Sequence, residues 1–174
     1  MVKPPFILVG HSMGSIIAAN YCRHYPKDVI NLLLLSLPLY IKSGKAKPDI
    51  KDIQTGIFLS MHKFLSEHKL IAVLQTQFIH KILRIDMEVN DENWDSFRLS
   101  LKNTVIKQNA YDDLKNIRQP IRIIYGNLDE FLVQKKINDL SKIQNVKITR
   151  LTLVDHVISV RFAKKVAEIL NELI

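Results

Sequence analysis

The chain has 174 residues, 47% of them hydrophobic and 24% charged, with a net charge of +8. Its length suits one globular domain that buries roughly two-thirds of its surface, and its composition excludes a disordered or fibrous protein. The positive charge invites a nucleic-acid reading, but the lysines are scattered apart from one cluster, KSGKAKPDIK at 42–51, with no aromatic residues interleaved to stack bases. Charge on solvated loops is the plainer reading, attraction of anionic substrates or surfaces the next, and no sequence-specific nucleic-acid binding is expected.

A single cysteine, Cys22, excludes an internal disulfide and fits a reducing compartment, so cytoplasmic residence is expected. The opening MVKPPFILVG is too soon interrupted by His11 and Ser12 to serve as a signal peptide. The longest apolar stretch, VINLLLLSLPLYI at 29–41, contains Pro38 and falls short of the roughly 20 residues that span a bilayer.

In chain order, FILVG (6–10) and VINLLLLS (29–36) are continuous apolar runs, the pattern of parallel strands covered by helices on both faces. Between them MGSIIAANYCRHYP is helix-length and ends at Pro26, which makes a βαβ unit. From about Pro38 to Gln119 the periodicity is helical: Ile53, Ile57, Met61 and Leu65 recur at helical spacing, as do Trp94, Phe97, Leu101 and Val105 behind Asp91 as a candidate N-cap. An all-helical segment of about 80 residues between two strands is too long for an ordinary connection and reads as a cap. IRIIYG (121–126) is the next strand, VQKKINDLSKI (133–143) a helix, VKITRL (146–151) a strand, and SVRFAKKVAEILNEL (159–173) a closing amphipathic helix. The expected division is therefore a core at 1–37 and 120–174 interrupted by a cap at 38–119.

Gly10-His11-Ser12-Met13-Gly14 matches G-x-S-x-G, a strand-to-helix turn that lifts a serine hydroxyl above a sheet. Sterics of so sharp a turn ask for glycine on both sides of Ser12. The helix that follows offers free amides and a dipole favouring negative charge, and three of the chain's five glycines lie at this turn and at Gly126. Such a serine needs a base and an orienting acid. YGNLDEF puts Asp129 just past one strand, and LTLVDHVIS puts His156 just past the next, with Glu130 a weaker candidate for the acid. Asp155 reads as a turn or cap residue, and His11 and His24 as structural. His62, His68 and His80 lack metal-site spacing, so no metal and no cofactor is expected.

With these residues in view the chain resembles the α/β-hydrolase fold superfamily, in its lipase- and esterase-like branch with a G-H-S-M-G elbow. The likeness runs from strand five of that fold to its C-terminal helix. It implies an α/β architecture with a parallel sheet (strands five to eight) and an inserted all-helical cap. It further implies Ser12 as nucleophile, Asp129 as acid, His156 as base and the Met13 amide as an oxyanion donor. The serine argues against relatives such as epoxide hydrolases and haloalkane dehalogenases, which use aspartate at the elbow.

Family members carry four strands and two helices ahead of the elbow, including a loop that supplies a second oxyanion amide, whereas eleven residues precede Ser12. The expectation is a half-built oxyanion hole, at a cost of about 10² to 10³ in rate. An exposed strand at residues 6–9 would invite self-association. A fragment of a longer reading frame, a truncated gene product and a chain completed by a partner account for this, in that order.

Phe58, Met61, Phe64, Phe78, Trp94 and Phe97 are candidates for an apolar acyl pocket, although at helical spacing they also suit plain core. The function expected is hydrolysis of a small or medium apolar carboxylic ester through an acyl-enzyme. Thioesters, amides and carbon-carbon bonds remain open, because fold does not fix substrate. The alternative is an inactive hydrolase remnant that binds a ligand or a partner.

Overall fold

The computed structural model describes residues 3–39, 92–100, 103, 110–129, 132 and 134–174. Two compact units are present, one formed by Met1–Tyr40 with Gln108–Ile174 and the other by Ile41–Lys107. In the second unit the described residues include a helix, Trp94–Ser100, within which Trp94 is buried.

Among its described residues the first unit carries four strands, β1 (Phe6–His11), β2 (Val29–Leu35), β3 (Ile121–Gly126) and β4 (Val146–Leu151). They form one parallel sheet in the order β1-β2-β3-β4. Helix α1 (Met13–His24) joins β1 to β2, α2 (Ala110–Asn116) precedes β3, α3 (Gln134–Leu140) joins β3 to β4, and α4 (Val160–Leu173) closes the chain. Helix α2 packs against α1 in the sheet-bearing unit, so residues 110–116, which the sequence reading assigns to the cap segment, lie with the sheet.

Burial follows from position in the sheet. The inner strands are apolar on both faces: Leu32, Leu33, Leu34, Ile121, Ile123 and Ile124 are fully buried. The outer strands β1 and β4 are only partly buried along most of their length, and Val9 on β1 is 42% exposed. Leu33 and Leu35 share a face with Ile124 and pack with Leu151, Val154, Phe162 and Ile169, while alternation sends Leu32 and Leu34 to the other side. Burying Phe162 and its neighbours at about 1.5–3 kcal/mol per large side chain anchors α4. The Ser159 hydroxyl caps that helix by accepting from the Phe162 amide at 3.3 Å.

Against β1 and β2, α1 presents Ser15, Ile16, Ala18, Ala19 and Cys22, small enough for most of its length to let helix and strands approach. Its outer side is tied to α2, where buried Asp113 accepts from Arg23 and, at 3.4 Å, from Asn20. Asn145 donates from Nδ2 to the carbonyls of Ile117 and Gln119 at 2.9 and 2.7 Å, fixing the entry to β3.

Register aligns the strand ends. His11 pairs with Leu35, Leu35 with Ile124, and Ile124 with Thr149, so the segments after β1, β3 and β4 all emerge at the carboxyl edge of the sheet. At that edge lie the three non-glycine residues with positive φ among those described: Ser12 (52°), Ser36 (46°) and Leu153 (56°). Such backbone costs on the order of 1–3 kcal/mol per residue and collects at sites where direction matters more than comfort.

Candidate active site

Ser12 stands between β1 and α1 with φ 52° and ψ −123°. Its amide donates to the Leu35 carbonyl at 2.9 Å, which carries the β1–β2 ladder one residue beyond the strand. Ser15 locks the turn from inside: its fully buried hydroxyl lies 2.7 Å from the Gly10 carbonyl oxygen and 2.9 Å from that of Leu35, sharing one proton between them.

Glycine is required on one side of Ser12 only. A Cβ on Gly10 would meet the Gly14 carbonyl oxygen at 2.4 Å, whereas a Cβ on Gly14 would meet nothing within 4 Å. The steric expectation for Gly14 is therefore corrected. Gly10 is overlain by the first turn of α1, while Gly14, a member of that turn, faces open space.

Asp129 and His156 arrive at the same edge by stitching of two loops. Asn127 and Leu128 donate amides to the carbonyls of Leu151 and Val154 at 2.8 and 2.9 Å, and the Leu153 amide donates to Asn127 Oδ1 at 2.6 Å. The Asp129 amide returns to the Gly126 carbonyl at 3.2 Å. Asp155 accepts the Val157 amide on Oδ1 at 3.1 Å, a local turn, as the sequence reading has it.

The three residues meet in a row. Ser12 Oγ lies 2.8 Å from His156 Nε2, and His156 Nδ1 lies 3.0 Å from Asp129 Oδ1. The Asp129 side chain is 1% exposed and that of His156 12%, so both contacts sit away from bulk water, where they are stronger. A carboxylate oxygen accepts, so His156 carries its proton on Nδ1 and turns the Nε2 lone pair to the Ser12 hydroxyl. That arrangement can take a proton from a hydroxyl, hold it, and return it.

Met13 is the first residue of α1, so its amide lies beside Ser12 at the positive end of the helix dipole. His11 sits on the other side of Ser12 with its Nε2 3.0 Å from the His156 carbonyl oxygen. Burial holds its imidazole below the ordinary value, with the His156 ring pushing the same way; the hydrogen bond to His156 and the Asp129 carboxylate oppose. His24 instead donates Nδ1–H to the Asn20 carbonyl at 2.8 Å on the exposed end of α1.

The sequence reading gives Ser15 no role and takes His11 as structural. The only signal for Ser15 was a small hydroxyl residue directly after the motif. Phe58, Met61, Phe64, Phe78, Glu130, His62, His68 and His80 lie outside the described residues, as does the side chain of Phe97. Among the described residues, no group of His, Cys, Asp and Glu is arranged to hold a metal ion. No helix among them is long and apolar enough to cross a membrane.

Known proteins resemble this chain in sequence and in fold. The chain is 26% identical over 182 residues to monoacylglycerol lipase ABHD6 of Bos taurus, a match covering 97% of the chain and 54% of that protein. It is 27% identical over 154 residues to pimeloyl-[acyl-carrier protein] methyl ester esterase of Wigglesworthia glossinidia brevipalpis, covering 83% of the chain and 59% of the relative. The chain thus spans little more than half the length of these relatives. Among solved structures, olei00960, a hydrolase from Oleispira antarctica, superposes with a TM-score of 0.66 at 14% identity, covering 98% of this chain and 65% of the other. That likeness shows the fold, and with the sheet above it makes this a partial α/β-hydrolase fold. Residues 2–158 match the family described as serine aminopeptidase, S33, and the chain belongs to that family within the α/β-hydrolase superfamily.

Proposed function

We propose that this chain carries the nucleophile, base and acid of a serine hydrolase that cleaves a small or medium apolar carboxylic ester. The observation that carries the reading is the row from Ser12 Oγ through His156 to Asp129, with contacts of 2.8 and 3.0 Å, beside the amino end of α1. Ester chemistry is favoured over other acyl transfers by the names of the relatives, one a monoacylglycerol lipase and another a methyl ester esterase.

In this reading His156 Nε2 takes the Ser12 proton as Oγ attacks the ester carbonyl carbon. The Met13 amide donates to the developing oxyanion, and the His156 imidazolium is stabilised by Asp129. Collapse of the tetrahedral species passes the proton to the departing alcohol and leaves an ester on Ser12. A water molecule, deprotonated by His156, attacks that ester; Oγ leaves with the proton and a carboxylic acid is released. A site working with the Met13 donor alone would turn over about 10² to 10³ more slowly than one with two donors. In the same reading, cytoplasmic residence goes with the free thiol of Cys22.

The test is intact-mass labelling with a fluorophosphonate beside Ser12→Ala. One adduct on the wild type and none on the variant is the expected result. A folded wild-type chain that takes up no label overturns the reading.

A second reading is favoured by β1, which is the outer strand of the sheet among the described residues and leaves Val9 exposed. In it the chain is an inactive hydrolase remnant that pairs with a second copy through residues 6–9. A concentration-dependent dimer by light scattering, abolished by Val9→Lys, together with absence of labelling, is its signature.

A further inference from the structure

We propose that His11 is a positioning residue that holds the base loop over Ser12 by donating Nε2–H to the main-chain carbonyl of His156. The inference rests on the serine-hydrolase reading, and it adds to that reading a restraint on the base that comes from the elbow strand itself.

The geometry is specific. His11 is the last residue of β1, and its Nε2 lies 3.0 Å from the His156 carbonyl oxygen across 145 positions of sequence. A carbonyl only accepts, so His11 carries its proton on Nε2. The two imidazole rings lie 5.4 Å apart at 41°. The loop bearing His156 is stitched to the β3 side at Leu153 and Val154, upstream of the base. His11 grips the residue of the base itself, from the β1 side.

This contact places the base for attack by Ser12, and it outlasts acylation. The hydrogen bond from the Ser12 hydroxyl to His156 Nε2 ends once Oγ is esterified, because the hydroxyl proton has gone. Asp129 still holds the ring at Nδ1. The bond from His11 is made to main chain, so acylation leaves it intact, and His156 stays placed to receive a proton from water.

Charge agrees with this role. His156 becomes an imidazolium during the reaction, and a second cation beside it would oppose that step. Burial lowers the His11 pKa and favours its neutral form, and among the described residues the groups facing it are the His156 ring and carbonyl and the Asp129 carboxylate.

The test compares His11→Gln, whose side-chain amide reaches as far as Nε2 and still donates, with His11→Phe, which keeps a ring and loses the donor. Fluorophosphonate labelling rates are read on the whole chain, with denaturant midpoints for each variant. The expected result is labelling of His11→Gln within about threefold of wild type and of His11→Phe about tenfold slower, the scale of one lost hydrogen bond. Equal rates for wild type and His11→Phe, or a His11→Gln as slow as His11→Phe, overturn the proposal.

Imidazole proton–nitrogen correlation spectra supply a readout that does not depend on activity or on any variant folding. His11 is expected as the Nε2–H tautomer, with His24 as an internal contrast in the Nδ1–H form. An Nδ1–H tautomer at His11 overturns the contact. A wild type that fails to label while His11 shows Nε2–H overturns the serine-hydrolase reading and the catalytic part of this proposal, and thereby separates that failure from loss of the contact.

Discussion

Gly126, the last residue of β3, passes beneath Val154 so closely that a Cβ on it would stand 2.0 Å from the Val154 carbonyl oxygen. The loops bearing Asp129 and His156 both start from this crossing. Gly126→Ala should therefore destabilise the fold by about 3 kcal/mol, the upper range for overpacking against main chain, and Gly10→Ala should behave alike. Gly14→Ala should be neutral or stabilising by up to about 1 kcal/mol, because alanine favours the helix and nothing is in its way. Urea midpoints of the three variants check the contrast.

Under the proposed function, removing the charge of Asp129 should separate positioning from bond-making. Asp129→Asn is expected to fold normally and to label with fluorophosphonate about 10⁴-fold more slowly, since an amide at that position can hold His156 in the wrong tautomer. Stopped-flow or gel-based labelling rates at matched stability are the measurement.

The Cys22 thiol is fully buried, and its pKa is pushed up to about 11 by desolvation. Thiolate is the reactive form, so the native protein should resist Ellman's reagent at pH 8. Guanidinium should release one equivalent with the same midpoint as the loss of circular dichroism.

Acid should weaken the fold in part through His11. Its folded-state pKa lies below the unfolded one, so the unfolded chain binds more protons as the pH falls below about 6.5. The stability associated with neutral, buried His11 is thus fully present above that value and is lost on the way down to the folded-state pKa. Wild type minus His11→Gln, measured by urea unfolding from pH 7.5 to 5.0, should show a difference that shrinks toward acid.

Phe162 is fully buried in the cluster that fixes α4 to Leu33, Leu35 and Ile124. Phe162→Ala should cost about 3–5 kcal/mol, against about 1 kcal/mol for Ser159→Ala, which removes only the cap. Thermal or urea unfolding distinguishes the two.

Much of this architecture was legible in the chain. The strands at 121–126 and 146–151 have the limits read from their apolar runs, because Gly126 and the turn residues around Asn145 end the pattern abruptly. β1 runs one residue beyond Gly10, since the ladder with β2 continues to His11. The helix read at 133–143 is shorter as described, Gln134–Leu140, because the chain then tightens through bonds such as Ile143 to Leu140. Asp129 and His156 were visible as polar residues just past strand ends. Ser15 and His11 were not, because each acts on main-chain carbonyls 20 and 145 positions away, and no local pattern encodes such a partner.

The contact between Ser12 and His156 closes a loop of 144 residues. For a flexible chain the length-dependent entropy of that closure is about 4 kcal/mol, repaid only when the intervening strands are already in register. Folding should therefore reach the row of Ser12, His156 and Asp129 late, after helices and neighbouring strands have formed from nearer contacts. In refolding, recovery of labelling at Ser12 should trail recovery of helical signal and so serve as a clock for the last step of assembly.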